Sequence, residues 1–164
     1  MKHAYNLSEM YRTHYQDVYH YLQYMGVSSC DVEDVVQNSF LKAFRAIGRF
    51  RGDSNLKTWL LSIARNEAIN YFQKDVRTAS YEEMEQQADT VYLEDLVCDR
   101  ESRAAILAFV AAREEPKRSL LVLRLLDELS FPEIAVLLGK SEVWCRVTYM
   151  RLKNSLLERL EDDR

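Results

Sequence analysis

Residues 50–74 combine a polar turn with a regular helical pattern. The turn is Arg51-Gly52-Asp53-Ser54. The apolar residues that follow recur mostly at steps of three and four, which is the spacing of one face of a helix. They are Leu56, Leu60, Ile63, Ala64, Ile69 and Phe72. The spacing predicts a helix over residues 56–75 that buries this face and is capped by Asp53 or Ser54.

The other positions of this helix carry basic, amide and aromatic side chains. They are Lys57, Trp59, Arg65, Asn66, Asn70, Gln73 and Lys74. Cations suit phosphates, amides suit base edges and an indole ring suits stacking, so this mixture on one surface favours contact with a nucleic-acid strand. An amphipathic helix with an ordinary solvated face fits the same periodicity. Trp59, in turn, can stack on a base or pack beneath the preceding loop.

A shortage of turn residues favours helices in the rest of the chain. The 164 residues include four glycines and two prolines, fewer than a sheet with many tight turns requires. Helical spacing predicts further helices over residues 7–25, 31–47, 100–113 and 117–127. Ser8 is the expected N-cap of the first, and its many tyrosines are interpreted as a core whose hydroxyls reach the edge.

The last part of the chain has the local signals of two helices joined by a glycine turn. Ser130 and Glu133 form the capping box that starts a helix, and Gly139 is placed for the left-handed turn that ends it. Ser141 is the expected cap of the final helix. Its predicted buried side comprises Cys145, Tyr149, Leu152 and Leu156. This pattern is typical of a helix-turn-helix that places its second helix in the major groove, and a plain helical hairpin fits it as well.

Several classes of protein are disfavoured. No apolar run approaches the about 18 residues of a membrane span, and the N-terminus lacks an apolar secretory segment, so the expected location is the cytoplasm. The scattered cysteines and histidines lack ligand spacing, so no metal site or cofactor is expected. A metal-dependent nuclease using Glu82, Glu83 and Glu85 has no histidine nearby to support it, and no nucleophile–base pair indicates an enzyme.

The charge is unevenly distributed along the chain. The net charge is −4, but residues 42–77 contain eight Lys and Arg against three Asp and Glu, whereas residues 78–101 contain one Arg against eight acids. Such asymmetry is more informative than the sum, and it favours an acidic linker between two parts of the chain.

Together with the helical spacing, this predicts an all-α fold class, with two small helical domains joined by an acidic linker, the second containing the helix-turn-helix. A short helical turn is expected within the linker at residues 92–97.

The block from Asp31 to Lys74 closely resembles region 2 of bacterial extracytoplasmic-function sigma factors, the small promoter-recognition subunits of RNA polymerase. The matching motifs are the D-x-x-Q of Asp34 and Gln37, the FRGDS loop at 50–54, the T-W-L at 58–60 and the I-A-R-N at 63–66. Residues 129–139 resemble the L-S-x-x-E-I-A-x-x-L-G of region 4 in the same family. The family usually has Glu at position 38, a small residue at 144 and a basic one at 148, where this chain has Asn, Trp and Thr.

The resemblance implies a function and a division of the chain. Residues 1–77 would bind core RNA polymerase and recognise and melt the −10 promoter element, residues 78–99 would be the linker, and residues 100–164 would recognise the −35 element. It also implies an anti-sigma factor, often membrane-bound, that masks both domains, and no small-molecule substrate. A linker that mimics single-stranded nucleic acid inside the polymerase is a further possibility.

The residues implied for each contact follow from the matched motifs. For the −10 element they are Arg51, Lys57, Trp59, Arg65, Asn66, Asn70 and Lys74. For core polymerase they are Asp34, Gln37, Asn38 and Lys42. For the −35 element they are Ser141, Trp144, Arg146, Val147, Arg151 and Lys153. The alternative is a stand-alone helix-turn-helix regulator, which explains residues 130–160 but leaves the block from Asp31 to Lys74 without a purpose.

Overall fold

The structure is a computed structural model that describes residues 5–75, 100–125 and 127–163. Throughout these ranges the regular elements are helices, as the sequence predicted. They are α1 Leu7–Tyr24, α2 Val32–Ala46, a 3₁₀ turn Ile47–Arg49, α3 Leu56–Asp75, α4 Arg100–Ala111, α5 Lys117–Leu125, α6 Phe131–Leu138 and α7 Glu142–Asp162. The chain divides into two compact units, Met1–Met84 and Glu85–Arg164. The predicted linker and its helical turn lie outside the described residues.

In the first unit, α1, α2 and α3 each pack against the other two. Tyr21 and Leu22 of α1, Phe40 of α2, and Leu60 and Leu61 of α3 are at most 2% exposed and form its core. The burial of Leu61 was missed, because α3 faces two helices at once and buries an arc that includes both Leu60 and Leu61, about 100° apart. Because the buried arc extends to Leu61, four of the residues predicted for the buried face lie near its edges and are only half-buried. These are Leu56, Ile63, Ile69 and Phe72.

Two predicted helix caps are wrong by one or two positions. The side chain of Asn6, rather than Ser8, caps α1, and its Oδ1 accepts the N–H groups of Ser8 and Glu9 at 3.1 and 3.3 Å. At α3, the Oδ1 of Asn55 accepts the Thr58 N–H at 2.7 Å, so Asn55 takes the place predicted for Asp53 or Ser54. An asparagine satisfies an orphan N–H as well as a serine or aspartate does, and local sequence does not rank such adjacent candidates.

In the second unit, α5 packs against α4, α6 and α7. Leu120, Leu121 and Leu123 of α5, Ile134 of α6 and Cys145 of α7 are 0% exposed. The central position of α5 explains why its apolar residues are not confined to one stripe, since a helix with neighbours on several sides buries most of its surface.

The predicted turn between α6 and α7 is confirmed. Ser130 and Glu133 form the reciprocal capping box of α6, and Gly139 ends that helix with a φ of 65°. The Oγ of Ser141 accepts the Trp144 N–H at 3.0 Å and caps α7. Of the predicted buried side of α7, Cys145, Leu152 and Leu156 are buried, whereas Tyr149 is half-buried.

Four helices end one or two residues earlier than predicted, at Tyr24, Ala46, Ala111 and Leu125. After α5 the backbone turns at Glu128, whose φ is 54°, and the Leu129 N–H donates to the Leu123 carbonyl at 3.0 Å. Within the described ranges, no helix is both long and apolar enough to cross a membrane.

Candidate nucleic-acid interface

The loop before α3 is anchored by aromatic packing. The ring of Phe50 lies 5.1 Å from the ring of Trp59 and 5.8 Å from that of Tyr5, measured between centroids. Trp59 is half-buried, so it packs beneath the loop and still presents part of its ring to solvent. Arg51, Gly52 and Asp53 are exposed at the tip, where Gly52 has a φ of 77° that favours glycine.

One outward face of α3 is rich in amides. We call it the amide stripe, and it consists of Trp59, Ser62, Asn66, Asn70 and Gln73. These positions follow one another at steps of three and four, which places them on one side of the helix. Asn66, Asn70 and Gln73 are exposed. Lys74, also exposed, lies four residues after Asn70 and extends the stripe at its C-terminal end.

Lys57 and Arg65 do not belong to the amide stripe, so the prediction that all seven polar residues share one surface is wrong. The Lys57 ammonium lies 3.6 Å from Oδ1 of Asp17 on α1, and the other oxygen of that carboxylate is 3.3 Å from the His14 imidazole. Arg65 is half-buried and lies about 100° around the helix from Asn66. Of the seven predicted α3 residues, the structure therefore brings together Trp59, Asn66, Asn70, Gln73 and Lys74.

The four residues implied for polymerase contact share a face of α2. Asp34, Gln37, Asn38 and Lys42 are all exposed, and their spacing of three, four and eight residues places them side by side. Leu41 lies among them and is 50% exposed. Leu41 was not predicted to lie on this face, although an apolar residue four positions after Gln37 could have been recognised there.

Lys42 also has a structural partner that was not predicted. Its ammonium forms an ion pair with Glu67 of α3. The Glu67 side chain is 10% exposed and that of Lys42 is 53% exposed. Glu67 lies three residues after buried Ala64, and an acid at that position of an apolar face requires a partner. That spacing was the available signal.

The predicted residues of α7 occupy different sides of the helix. Arg146, Val147, Arg151 and Lys153 are exposed, whereas Trp144 is half-buried and its ring lies 5.5 Å from the Lys140 ammonium. Arg146 pairs with Glu142 one turn earlier. Ser141 is exposed and its hydroxyl caps the helix.

An exposed apolar row on α7 was also missed. We call it the valine stripe, and it consists of Val143, Val147 and Met150, which are 69%, 44% and 51% exposed. These residues are spaced by four and three positions and lie on the side of the helix opposite buried Cys145 and Leu152. Periodicity could therefore have identified the valine stripe once the buried side was assigned.

The titratable groups of Cys145, Tyr149 and His20 lie away from these surfaces. Burial raises the pKa of the Cys145 thiol and of the Tyr149 hydroxyl, and it lowers the pKa of the His20 imidazole. Cys30 is exposed, and Cys98 lies outside the described residues. Among the residues that are described, no group of three His, Cys, Asp or Glu side chains could hold a metal ion.

Comparisons with known proteins match both units. Residues 10–78 match the family Sigma-70 region 2. The chain is 30% identical to the RNA polymerase sigma factor YlaC of Bacillus subtilis, over 100% of this chain and 99% of that protein. It is 38% identical to the ECF RNA polymerase sigma-E factor of Salmonella typhimurium, over 68% of this chain and 64% of that protein.

Two solved structures share the fold. The first is CnrH in complex with the cytosolic domain of CnrY, with a TM-score of 0.70 and 21% identity over 96% of this chain and 89% of that chain. The second is the sigma factor RpoE in complex with the anti-sigma factor NepR from Bartonella quintana, with a TM-score of 0.70 and 20% identity over 96% of this chain and 98% of that one. At these identities the likeness establishes the all-helical fold.

Proposed function

The chain belongs to the extracytoplasmic-function group of the sigma-70 family of RNA polymerase sigma factors, and we propose that it directs core polymerase to promoters through three surfaces. These are the amide stripe with its loop, the polar face of α2, and the outward face of α7. The observation that carries the proposal is the match to a sigma factor over the whole chain. A stand-alone regulator would need only the helix-turn-helix, whereas this match includes both units.

The amide stripe and the preceding loop suit the −10 element. In this proposal the loop and the start of α3 receive a base that has left the stack, and Asn66 and the loop backbone hydrogen-bond to its edge. Asn70 continues the polar surface, while Arg51 and Lys74, exposed at either end, bind phosphates. The accessible part of Trp59 can stack on a base.

Lys57 has a different role in this proposal, whereas Arg65 keeps a phosphate contact. Asp17 is 3.6 Å from the Lys57 ammonium, so a phosphate would have to compete with that carboxylate for the cation. Lys57 therefore joins the start of α3 to α1 and holds the loop in position, and its charge contributes to the local potential. Arg65, half-buried beside the stripe, reaches a phosphate by extending along the helix surface.

The exposed face of α2 suits a helical surface of the polymerase. Asp34, Gln37 and Asn38 supply hydrogen-bonding groups around Leu41, whose 50% exposed side chain would be covered on binding. An apolar centre with a polar rim is the usual arrangement of a protein interface. Asn38, where the family usually has Glu, removes one charge from this contact but can still donate and accept hydrogen bonds.

The second unit suits the −35 element. The capped start of α7, with Ser141 at its N-terminus, is the part of a helix-turn-helix that enters the major groove. Arg146, Arg151 and Lys153 bind phosphates along the groove, Val147 faces the bases, and Trp144 supports the helix start against Lys140. The proposed division is residues 1–77 for the first domain, 78–99 for the linker and 100–164 for the second.

Joining two modest contacts in one chain supports selective promoter binding. A good bidentate contact with one base is worth about 1–3 kcal/mol, and linkage raises the effective concentration of the second contact once the first has formed. Core polymerase fixes the spacing of the two sites and supplies all the chemistry. The net charge of −4 agrees with weak binding to DNA by the isolated chain, since duplex affinity depends on neutralising phosphates.

An anti-sigma factor completes the proposal. The RpoE structure that shares this fold contains an anti-sigma factor, which supports a protein inhibitor for this chain. We propose that it masks both domains and that it is a membrane protein, as is common in the family. Affinity purification of the chain from its own cells, with and without membrane extraction, tests both statements. Recovery of core polymerase without an inhibitor would contradict them.

The central experiment is transcription in vitro with bacterial core polymerase on fragmented genomic DNA. Transcript starts that share two upstream motifs at a fixed spacing support the proposal and define the promoter. On such a promoter, Asn66→Ala should lower open-complex formation by about 5- to 150-fold, the equivalent of 1–3 kcal/mol, while binding to core polymerase is unchanged. Gln16→Ala, which removes an exposed amide of α1, is the matched control.

Two outcomes would contradict the proposal. An equal loss of polymerase binding and promoter opening in Asn66→Ala would remove the base-reading role. A lack of stimulated starts, with the chain alone still binding duplex DNA, would favour the stand-alone regulator.

A further inference from the structure

The valine stripe is an apolar surface in the centre of the face that α7 would turn toward DNA. Its residues, Val143, Val147 and Met150, are 69%, 44% and 51% exposed. They extend over about 10 Å of the helix axis at 1.5 Å per residue. They lie opposite Cys145, Leu152 and Leu156, which anchor the helix to the unit. The stripe is therefore free of the core and turned outward.

Cations flank the stripe on both sides. Arg146 and Lys153 lie roughly 65–85° around the axis on one side, and Arg151 lies about 75° away on the other. All three are exposed. This order matches a major groove, whose two walls are phosphate backbones and whose floor is base edges. The long basic side chains can reach the walls while the shorter apolar residues face the floor.

The first half of α7 lacks the amide side chains that read adenine. Residues 142–150 contain no Asn or Gln, and their two charged side chains, Glu142 and Arg146, pair with each other. The apolar group that the floor of the major groove offers is the C5-methyl of thymine. We propose that the valine stripe reads thymine methyl groups at two or more neighbouring base pairs of the −35 element.

This inference deepens the proposed function and rests on it, because α7 must enter the groove for the contact to form. The spacing along the helix agrees with the ligand. Val143 and Val147 are about 6 Å apart along the axis and Val147 and Met150 about 4.5 Å, whereas successive bases rise by about 3.4 Å. Each step along the stripe therefore corresponds to between one and two base pairs.

A protein partner is the competing occupant of an exposed apolar face. The flanking charges favour DNA, because exposed Arg151 and Lys153 lie on opposite sides of the stripe and match phosphates, whereas Arg146 is paired with Glu142. A stripe that is apolar at its centre and basic on both sides is complementary to a major groove whose floor carries thymine methyl groups.

Deoxyuridine provides the test, since it pairs as thymidine does and lacks only the methyl group. A promoter library with a randomised −35 region is amplified once with dTTP and once with dUTP, and each pool is selected with holoenzyme formed from core polymerase and the full chain. We expect thymine to be enriched at two or more neighbouring positions in the first pool, and this enrichment to be lost in the second. On the selected promoter, each single replacement should weaken binding about fourfold.

Variants locate the effect on the stripe. At a single base-pair position, Val147→Ala should bring the holoenzyme's affinity for the thymidine promoter close to its affinity for the deoxyuridine promoter, so that the ratio of the two approaches one. Binding to core polymerase should be unchanged. Leu157→Ala is the matched control, because Leu157 is 47% exposed and lies about 15 Å further along the same helix. Its ratio should equal that of the parent. Circular dichroism of each variant verifies that α7 is folded.

The remaining outcomes separate this inference from the proposed function. Equal selection of thymidine and deoxyuridine pools, with promoter-directed transcription intact, would overturn methyl reading and leave the sigma-factor function standing. An unchanged ratio in Val147→Ala, together with lost binding of a protein inhibitor, would also overturn it and assign the stripe to that inhibitor. Failure of both pools to support transcription would instead refute the proposed function.

Discussion

Replacement of Lys42 by Ala should destabilise the first unit, although Lys42 is exposed on the face proposed to contact polymerase. The Glu67 side chain is 10% exposed, and Lys42 is the ion-pair partner of its carboxylate. Removing Lys42 leaves that carboxylate in place without its counter-charge, and an unsatisfied buried charged group costs about 1–3 kcal/mol or more. Because the Lys42 side chain is 53% exposed, water can partly replace it, so we expect the lower half of that range.

A loss of about 1–2 kcal/mol corresponds to a fall in Tm of about 4–16 °C for a domain of this size. Urea unfolding followed by circular dichroism would measure it, with Lys74→Ala as the control. Lys74 is an exposed cation of the same unit, and its removal should change stability by no more than about 0.5 kcal/mol. The cost should be smaller in a Glu67→Gln background, where no carboxylate is stranded.

A double-mutant cycle of Lys42→Ala and Glu67→Gln isolates the pairing energy. A coupling energy below about 0.3 kcal/mol, within the error of additivity, would refute the argument that this ion pair stabilises the packing of α2 on α3. A polymerase-binding defect of Lys42→Ala would then report on polymerase contact alone, because the variant would not affect stability through Glu67. With the coupling present, a polymerase-binding defect in this variant must be corrected for the fraction of unfolded protein.

The remaining predictions concern one helix start and two titratable groups. Ser130→Ala removes the cap of α6 and should lower the free energy of unfolding by about 1 kcal/mol, as measured by thermal unfolding. Ser155→Ala, at an exposed position within α7, should leave it unchanged. Equal losses in the two variants would contradict the capping role. Because burial raises the pKa of the Cys145 thiol, iodoacetamide at pH 8 should label exposed Cys30 much faster, as judged by peptide mass spectrometry, and faster labelling of Cys145 would show that the packing is wrong. Burial lowers the pKa of the His20 imidazole below 6.5. As the pH drops from 6.5 toward the folded-state pKa, the unfolded state binds the proton first, so the free energy of unfolding should fall. His20→Gln should lose this pH dependence in urea titrations at several pH values, and a retained dependence would assign it to another group.

Elements that depend on neighbouring residues were predictable from the sequence. Both ends of α3 were predicted correctly, as was the capping box of Ser130 and Glu133, because helical spacing and capping are interactions within a few residues. The left-handed Gly139 follows from the same local chemistry. The caps at Asn6 and Asn55 were missed because serine, aspartate and asparagine lay within two positions of each other, and their capping free energies are too similar to separate them.

The candidate surfaces were predictable only in part. The four residues of the α2 face lie together as their spacing implied, since residues three and four apart share a side of any helix. The residues of α3 were predicted as one surface because they are all polar, but Lys57 pairs with Asp17 and Arg65 lies off the amide stripe. The roles of all these residues in binding polymerase and DNA remain predictions that the experiments above would test.

The sequence was sufficient to determine the helices, the turn between α6 and α7, and the membership of the chain in its family, because these depend on local spacing and on motifs. The angles between side chains on one helix also follow from the sequence, since each residue turns the helix by a constant amount. The arc that is covered depends on which helices pack against it, and those contacts join residues distant in the chain. Tertiary packing therefore buried Leu61, paired Lys42 with Glu67, and left the amide stripe and the valine stripe exposed.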